Sequence, residues 1–272
     1  MPELPEVETT RRGIEPHVTG VRIKEVVVRR HDLRQPVSAN IVEVEGRVIR
    51  GVTRRSKYLL LDIDDASTLL IHLGMSGSLR IIKPAEIWKK HDHVGITLEN
   101  GRQLRFHDPR RFGLVLRLME TDPMSHPLLK NLGPEPLEAA FTVESLKAAC
   151  AKRSAAIKLV IMDAKVVVGV GNIYASEALF RAGIRPQIAA NKLTKPRFEK
   201  LAAAIREVLS AAILEGGTTL RDFLNSDGEP GYFKQRLFVY ERKGEPCRVC
   251  GTEISHAVLG QRSTYWCPVC QK

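Results

Sequence analysis

The first eight residues, Met1-Pro2-Glu3-Leu4-Pro5-Glu6-Val7-Glu8, place a proline where removal of an initiator methionine would expose its nitrogen as a secondary amine. A chain-terminal amine titrates at about 7.7–8.0, well below a lysine, so it is nucleophilic near neutrality without deep burial. Attack by such an amine on a sugar or carbonyl carbon gives a cationic iminium, which acts as an electron sink. Glu3 and Glu6 lie within reach as acid–base groups. The same octapeptide also suits an ordinary helix start, with Pro5 in the first turn and Glu6 and Glu8 favouring the positive end of the dipole.

Four of the five cysteines sit at the carboxyl end: Cys247 and Cys250, then sixteen residues, then Cys267 and Cys270. Two C-x2-C knuckles at this spacing are the pattern of a zinc ribbon, each knuckle giving two thiolates to one tetrahedral ion. In a reducing cytoplasm a pair of disulfides is the poorer reading. Four thiolates leave no open coordination position, so the zinc is expected to be structural. Cys150 stands alone in a helical pattern and reads as a small buried hydrophobe.

Other segments gather polar chemistry. Asp108-Pro109-Arg110-Arg111-Phe112-Gly113 reads as a tight loop between strands, presenting arginines beside an aromatic side chain that could wedge between bases. Leu73-Gly74-Met75-Ser76-Gly77 is a second glycine-framed loop and could present Met75 likewise. Core packing of Phe112 and Met75 fits each loop equally well when it is taken alone. Gly169-Val170-Gly171-Asn172 enters a helix, where backbone amides and the dipole suit an anion such as a DNA phosphate. A simple tight turn would look the same, and the strand-first context of a dinucleotide fold is missing. Lys57 precedes an apolar strand as a phosphate contact, a proton carrier or plain surface. His91-Asp92-His93 lacks a third metal ligand and points to hydrogen bonding or phosphate contact. Arg262 lies between the two knuckles, either aimed at a substrate or part of a basic surface.

These residues need elements to hold them. The chain has 272 residues, 43% of them hydrophobic, enough for one large domain or two modest ones. Its net charge of +11 points to a polyanion as partner. The segment from Phe233 to Lys272 carries seven lysines and arginines against three glutamates, so the ribbon is basic. No apolar run approaches bilayer length and no signal peptide precedes the charged start, so the chain reads as soluble and cytoplasmic.

After a helix from about Pro5 to Ile14, short strands follow between Gly20 and Leu118: 21–28, 58–62, 68–71, 79–82, 94–98 and 114–116. Their regular spacing predicts a β-sandwich or barrel. Leu132-Gly133-Pro134-Glu135-Pro136 marks a boundary, after which the period becomes helical. Thr142 caps a first helix running to about Lys152, and Ser154 a second bearing Ile157, Val160 and Ile161. A third opens at Val170–Tyr174. The longest starts at Thr194 with Phe198, Leu201, Ile205, Val208, Leu209 and Ala212 on one face, and closes at Gly216. The glycine-rich stretch 216–231 reads as a loop.

Taken together, the opening heptad Pro2–Glu8, His72–Gly77, Asp108–Gly113, Val168–Tyr174, Gly216-Gly217-Thr218-Thr219, Lys243–Gly251 and Gln261–Thr264 closely resemble the bacterial formamidopyrimidine-DNA glycosylases over essentially the whole chain. The resemblance implies an α+β multidomain fold: an N-terminal helix plus β-sandwich at 1–132, a helical helix–two-turn–helix domain with a lesion loop at 133–232, and a zinc finger at 233–272. It implies a monomer that excises oxidised purines from duplex DNA, also acts on abasic sites, and cuts the strand by β,δ-elimination. Pro2 is then the Schiff-base nucleophile, Glu3 the acid that helps open the deoxyribose, and Glu6 its supporting carboxylate. Lys57 is assigned to β-elimination and Arg262 to δ-elimination. His91, Arg110 and Arg153 match DNA contacts and Asn172 a phosphate contact. Met75, Arg110 and Phe112 match residues that fill the gap left by a flipped base, and the loop from Thr218 to Gly231 folds over that base. One structural Zn2+ is the only cofactor implied, and the bacterial nucleoid the place of action.

Two other readings are weighed against this one. The sister branch removes oxidised pyrimidines, but Leu4 and the complete 108–113 loop favour the purine branch. A zinc-ribbon protein that binds damage without cutting explains charge and ribbon but not a proline amine beside acids.

Overall fold

The computed structural model describes residues 2–217 and 236–272. The lesion loop expected from Thr218 to Gly231 therefore lies outside the described residues. Two compact units emerge, residues 2–130 with 215–217, and residues 131–214 with 236–272.

The first unit opens with α1 (Leu4–Val18), whose Leu4, Val7, Ile14 and Val18 recur at helical spacing and are buried. The helix runs past the expected end at Ile14. Pro16 falls in its last turn, where a missing amide removes a single bond, and the Thr19 amide closes the helix on the Glu15 carbonyl at 3.1 Å.

Eight antiparallel strands follow: β1 (Val21–Val28), β2 (Val48–Arg55), β3 (Tyr58–Ile63), β4 (Thr68–His72), β5 (Ser78–Ile82), β6 (Asp92–Leu98), β7 (Gln103–His107) and β8 (Leu114–Leu118). Their order is β5-β7-β6-β1-β2-β3-β4-β8. Strand β1 belongs to both halves of the sandwich. Val21 and Arg22 pair with β2, and from Ile23 onward it pairs with β6, with a register shift between Ile23 and Glu25. A bulge of this kind bends a strand, and here it passes the chain from one sheet to the other. Both halves bury apolar side chains in one cluster. Ile49, Leu59, Leu61 and Ile71 meet Val94, Ile96, Leu104 and Phe106, with Val7, Ile14 and Val18 from α1.

Strands β2 and β7 depart from the sequence expectation. β2 carries three arginines and a glycine, and in β7 Gln103, Arg105 and His107 alternate with Leu104 and Phe106. Arg105 is nevertheless buried. Its guanidinium donates to Gln103 and to the Glu86 carbonyl, lies 3.5 Å from Asp92, and stacks 4.0 Å from the Trp88 ring. A charge that finds this many partners within the fold reads as surface in the sequence.

In the second unit α2 (Val143–Cys150) has the expected cap, the Thr142 hydroxyl accepting from the Ser145 amide at 3.0 Å. Helix α3 (Ile157–Ile161) does not use Ser154. Its first amides instead donate to the carbonyls of Ile188 and Pro186. Helices α4 (Asn172–Arg181) and α5 (Lys195–Leu214) follow, and Gly216 takes the left-handed conformation, φ 74°, just past α5. The hairpin β9 (Ser255–Leu259) and β10 (Arg262–Trp266) completes the ribbon. Ribbon and helices share a small core in which Phe180 of α4 meets Val239, Cys247, Ile254 and Cys267. Glu177 of α4 is buried and accepts the amides of Phe238, Val239 and Tyr240 at 2.8–3.0 Å, tying the chain entering the ribbon to the helix. Burial pushes its carboxyl up, against the three amides. Among the described residues no helix is long and apolar enough to cross a membrane.

Candidate functional site

The first turn of α1 buries an unusual set of groups. Pro2 is buried, Glu3 is 2% exposed and Glu6 is 0% exposed. Glu6 Oε2 accepts the Glu3 amide at 2.8 Å, which fixes the backbone beside Pro2. Gly217 packs on Glu6 from the other side. A Cβ there would come within 3.1 Å of Glu6 Oε1, and the residue's φ is 82°. The expected nucleophile, acid and supporting carboxylate thus share one turn at the positive end of a helix.

Lys57 stands in the same unit, in the two-residue turn between β2 and β3. The preceding Ser56 holds φ at 55°, a left-handed value that a serine seldom adopts. Arg54 spans from this turn to α1. It donates to the Ser56 carbonyl at 2.8 Å and to Glu8 at 3.1 Å. Burial works against the Glu8 charge, but hydrogen bonds from Arg11 and Arg12 and the charges of Arg11 and Arg54 hold its carboxyl below the usual range. Across β3 and β4, His72 packs against Tyr58 with ring centroids 4.9 Å apart. Its Nδ1 accepts the Gly74 amide at 3.0 Å. Burial and then the charges of Lys57 and Arg34 push the imidazole down to about 4.

The two glycine-framed loops lie against one another. Met75 is partly exposed, Arg110 is exposed and Phe112 is 43% exposed, and the Arg110 guanidinium sits 5.1 Å from the Phe112 ring centroid. His91 packs edge-on to His93 and His107, at 6.4 and 5.9 Å. Asp92 between them is buried and takes His107 Nδ1 at 2.8 Å, Arg80 at 3.0 Å and the Lys89 amide at 2.9 Å. Among the described residues no group of three potential ligands forms around these histidines, as only the four cysteines cluster.

The second unit carries the other expected residues. Arg153, between α2 and α3, pairs with Asp163 at 2.7 Å. Asn172 begins α4 behind Gly171, and its Oδ1 is buried with no hydrogen-bond partner among the described residues, an acceptor left over at a helix N-terminus. Arg262 is exposed at the start of β10. It follows a two-residue turn in which Gly260 and Gln261 both have positive φ, 51° and 62°, the form that closes a tight hairpin. Helix α3 supports this tip. Lys158 is 0% exposed and its Nζ donates to the Ser263 carbonyl and to Thr264 Oγ1 at 2.9 and 2.8 Å, while a Cβ on Gly260 would meet Leu159 at 2.9 Å. Neither Lys158 nor Leu159 stands out in the sequence, where each reads as one turn of an amphipathic helix.

The four sulfurs of Cys247, Cys250, Cys267 and Cys270 lie within 4.8 Å of one another. Tetrahedral zinc with Zn–S near 2.3 Å requires sulfurs about 3.8 Å apart, and the pairs Cys247–Cys270 and Cys250–Cys267 stand at 3.9 and 3.4 Å. The Val249 amide donates to Cys247 Sγ at 3.5 Å and that of Cys270 to Cys267 Sγ at 3.4 Å, as suits sulfur carrying negative charge. The donor set fits one structural zinc.

Comparison with known proteins agrees with this geometry. Residues 1–115 match the family model described as the formamidopyrimidine-DNA glycosylase N-terminal domain, 132–224 its H2TH domain, and 244–272 a zinc finger found in FPG and IleRS. The formamidopyrimidine-DNA glycosylases of Xanthomonas campestris pv. campestris (strain 8004) and Methylococcus capsulatus (strain Bath) are 55% and 58% identical to the chain, with all of both chains covered. The crystal structure of the MutM (Fpg) protein from Thermus thermophilus superposes with a TM-score of 0.90 at 41% identity, covering 99% of this chain and 98% of that one. Lactococcus lactis Fpg in complex with DNA containing an abasic site gives 0.91 at 33% identity, with 99% of each chain covered. Its complex with Fapy-dG-containing DNA gives 0.91 at 33%, covering 99% and 100%.

Proposed function

Because the chain belongs to the formamidopyrimidine-DNA glycosylase family, we infer that it is a base-excision repair enzyme, a DNA glycosylase and abasic-site lyase acting on oxidised purines in duplex DNA. The observation that carries this reading is the amino-terminal turn, a buried proline and two buried glutamates at the positive end of a helix. That end of the dipole disfavours an added proton on the Pro2 nitrogen. Complexes of the Lactococcus lactis relative with abasic and Fapy-dG DNA support the substrate class.

The damaged nucleotide leaves the stack first, at a cost of a few kcal/mol. Met75, Arg110 and Phe112 fill the space it vacates and offset that cost. The Pro2 nitrogen then attacks C1′. As the C–N bond to the protein forms, the glycosidic bond breaks and the base leaves protonated while the Pro2 nitrogen gives up its own proton. Glu3, acting as the acid, then protonates the ring oxygen, the C1′–O4′ bond breaks and the iminium forms. Glu6 holds Glu3 in place. The iminium acidifies the C2′ proton, whose loss expels the 3′ phosphate, the step assigned to Lys57. A second elimination, assigned to Arg262, expels the 5′ phosphate. No step needs a metal at C1′, and the zinc shapes the ribbon that carries Arg262. His91, Arg153 and Asn172 grip the phosphates, the Asn172 side-chain NH2 and the amides at the start of α4 donating to the phosphate oxygens.

In this reading residues 1–132 supply base excision and the first elimination, 133–232 grip the DNA, and 233–272 form the zinc finger that brings Arg262 to the second elimination. The place of action is the cytoplasm, at the chromosome. Borohydride reduction during reaction with an abasic duplex tests the mechanism. A covalent protein–DNA adduct linked through Pro2 is expected, whereas a damage-binding protein without lyase chemistry yields none. Excision from duplexes carrying single oxidised purines or pyrimidines separates the two enzyme branches.

A further inference from the structure

The loops that carry Met75, Arg110 and Phe112 are knotted together underneath. Asp108, 0% exposed, takes the Ser76 hydroxyl on Oδ1 at 2.9 Å and the Gly113 amide on Oδ2 at 2.8 Å. Ser76 Oγ in turn accepts the Arg110 amide at 3.2 Å, so one serine hydroxyl bonds the opposite loop twice. The Asp108 backbone is also held. Its carbonyl lies 2.7 Å from His93 Nε2, which makes that nitrogen the donor, and its amide donates to the His91 carbonyl at 2.9 Å. The backbones touch as well. A Cβ on Gly74 would sit 2.5 Å from the Gly113 nitrogen, and Gly74 has φ 68°. Directly above this satisfied and buried knot, Arg110 and Phe112 stand in solvent.

We propose that Ser76 and Asp108 are positioning residues that join the two loops into one rigid insertion element, so that Met75, Arg110 and Phe112 enter the base stack as a unit. This rests on the wedge reading of those three side chains. A wedge on two independent loops must be ordered as it inserts, and that ordering subtracts from the energy available to open the stack. A carboxylate shared between the loops orders them in advance. Side-chain to backbone bonds of this kind also leave the outer faces of Arg110 and Phe112 open to DNA.

A double-mutant cycle tests the link, with Ser76→Ala and Asp108→Asn each made alone and in a Phe112→Ala background. Excision of a lesion from intact duplex and cutting at a preformed abasic site are both measured. Ser76→Ala leaves buried partners unsatisfied and is expected to slow excision about ten-fold, with a much smaller loss at the abasic site. In the Phe112→Ala background the same change is expected to cost less than about two-fold, because the wedge it aligns is already gone. Phe112→Ala alone tests the underlying reading, since intact excision by that variant ends the wedge assignment itself. If Phe112→Ala impairs excision but the costs of Ser76→Ala and Asp108→Asn are unchanged in its presence, the link is overturned while the wedge stands. Loss of the folded state in both variants, read from zinc content and thermal unfolding, also overturns it, because Asp108 would then be holding the sandwich and not the loops.

Discussion

A nucleophilic amine at Pro2 must be unprotonated and must have an acid held close by. In the proposed mechanism these demands would be served at the α1 terminus by burial, by the helix dipole and by the hydrogen bond from the Glu3 amide to Glu6. Pro2→Gly keeps a terminal amine but makes it primary, and is expected to weaken base excision and iminium trapping together. A bulky residue inserted at position 2, so that Met1 is retained, is expected to abolish both. Full trapping by a chain with a blocked amino terminus, checked by intact mass, would remove Pro2 from the mechanism. His72 gives a second test at this scale. Its native form is held neutral down to about 4 against 6.5 for a free histidine. The unfolded chain therefore binds more protons in between, and stability falls as pH drops from about 6.5 towards 4, by about 3 kcal/mol if the whole shift is realised. Glu8 and Asp92, whose carboxyls are lowered from 4.5 and 3.8, lose their contribution only at lower pH. His72→Gln should shrink the fall in melting temperature between pH 6.5 and 5, and an unchanged fall would assign it to other groups. The catalytic candidates were legible because their types are rare in such spacing. Asp108, Lys158 and Glu177 were not, because a charged residue gives no sign in sequence that the fold will bury and satisfy it.

Elements place these residues through turns as much as through helices and strands. The sequence predicts the sandwich from strands whose apolar residues dominate, but passes over β2 and β7, whose arginines are paired within the fold. It also assigns Ser154 as a cap, whereas carbonyls at 186 and 188, distant in sequence, supply what the first amides of α3 need. The Gly260–Gln261 turn has a sharper consequence. It immediately precedes Arg262, which the proposed mechanism needs aimed at the substrate, and its glycine lies against Leu159 in a left-handed conformation. Gly260→Ala adds a Cβ at 2.9 Å from that side chain and about 1 kcal/mol of backbone strain. The expected result is a product mixture enriched in the β-elimination end over the δ-elimination end, with base excision nearly unchanged. Gel analysis of the cut strand reads this directly. An equal fall in both eliminations would mean that the tip acts in binding and not in aiming Arg262.

At the scale of the whole molecule, a net charge of +11 makes DNA affinity depend on counterion release. Removing a side chain that neutralises one phosphate should reduce the slope of log affinity against log salt by about one, so Arg153→Ala is expected to flatten that slope without changing which lesion is preferred. Its pairing with Asp163 makes a change smaller than one the natural result, and no change at all would show that Arg153 serves the fold alone. Zinc acts at the same scale. The ribbon does not stand apart from the helices. Cys247 and Cys267 share a core with Phe180, and Glu177 holds the ribbon's first residues. The sandwich has a separate core, built with α1. Cys247→Ser removes one of four thiolates, and a three-ligand site in an otherwise small core loses most of the folding energy that zinc supplies. Melting should then separate into two steps, with the ribbon and its adjoining helices failing first and the sandwich persisting. Zinc content and most DNA affinity should fall with the first step. A metal-free variant that melts in one step at the original temperature, and binds and cuts as before, would show that the ribbon is dispensable to both fold and function.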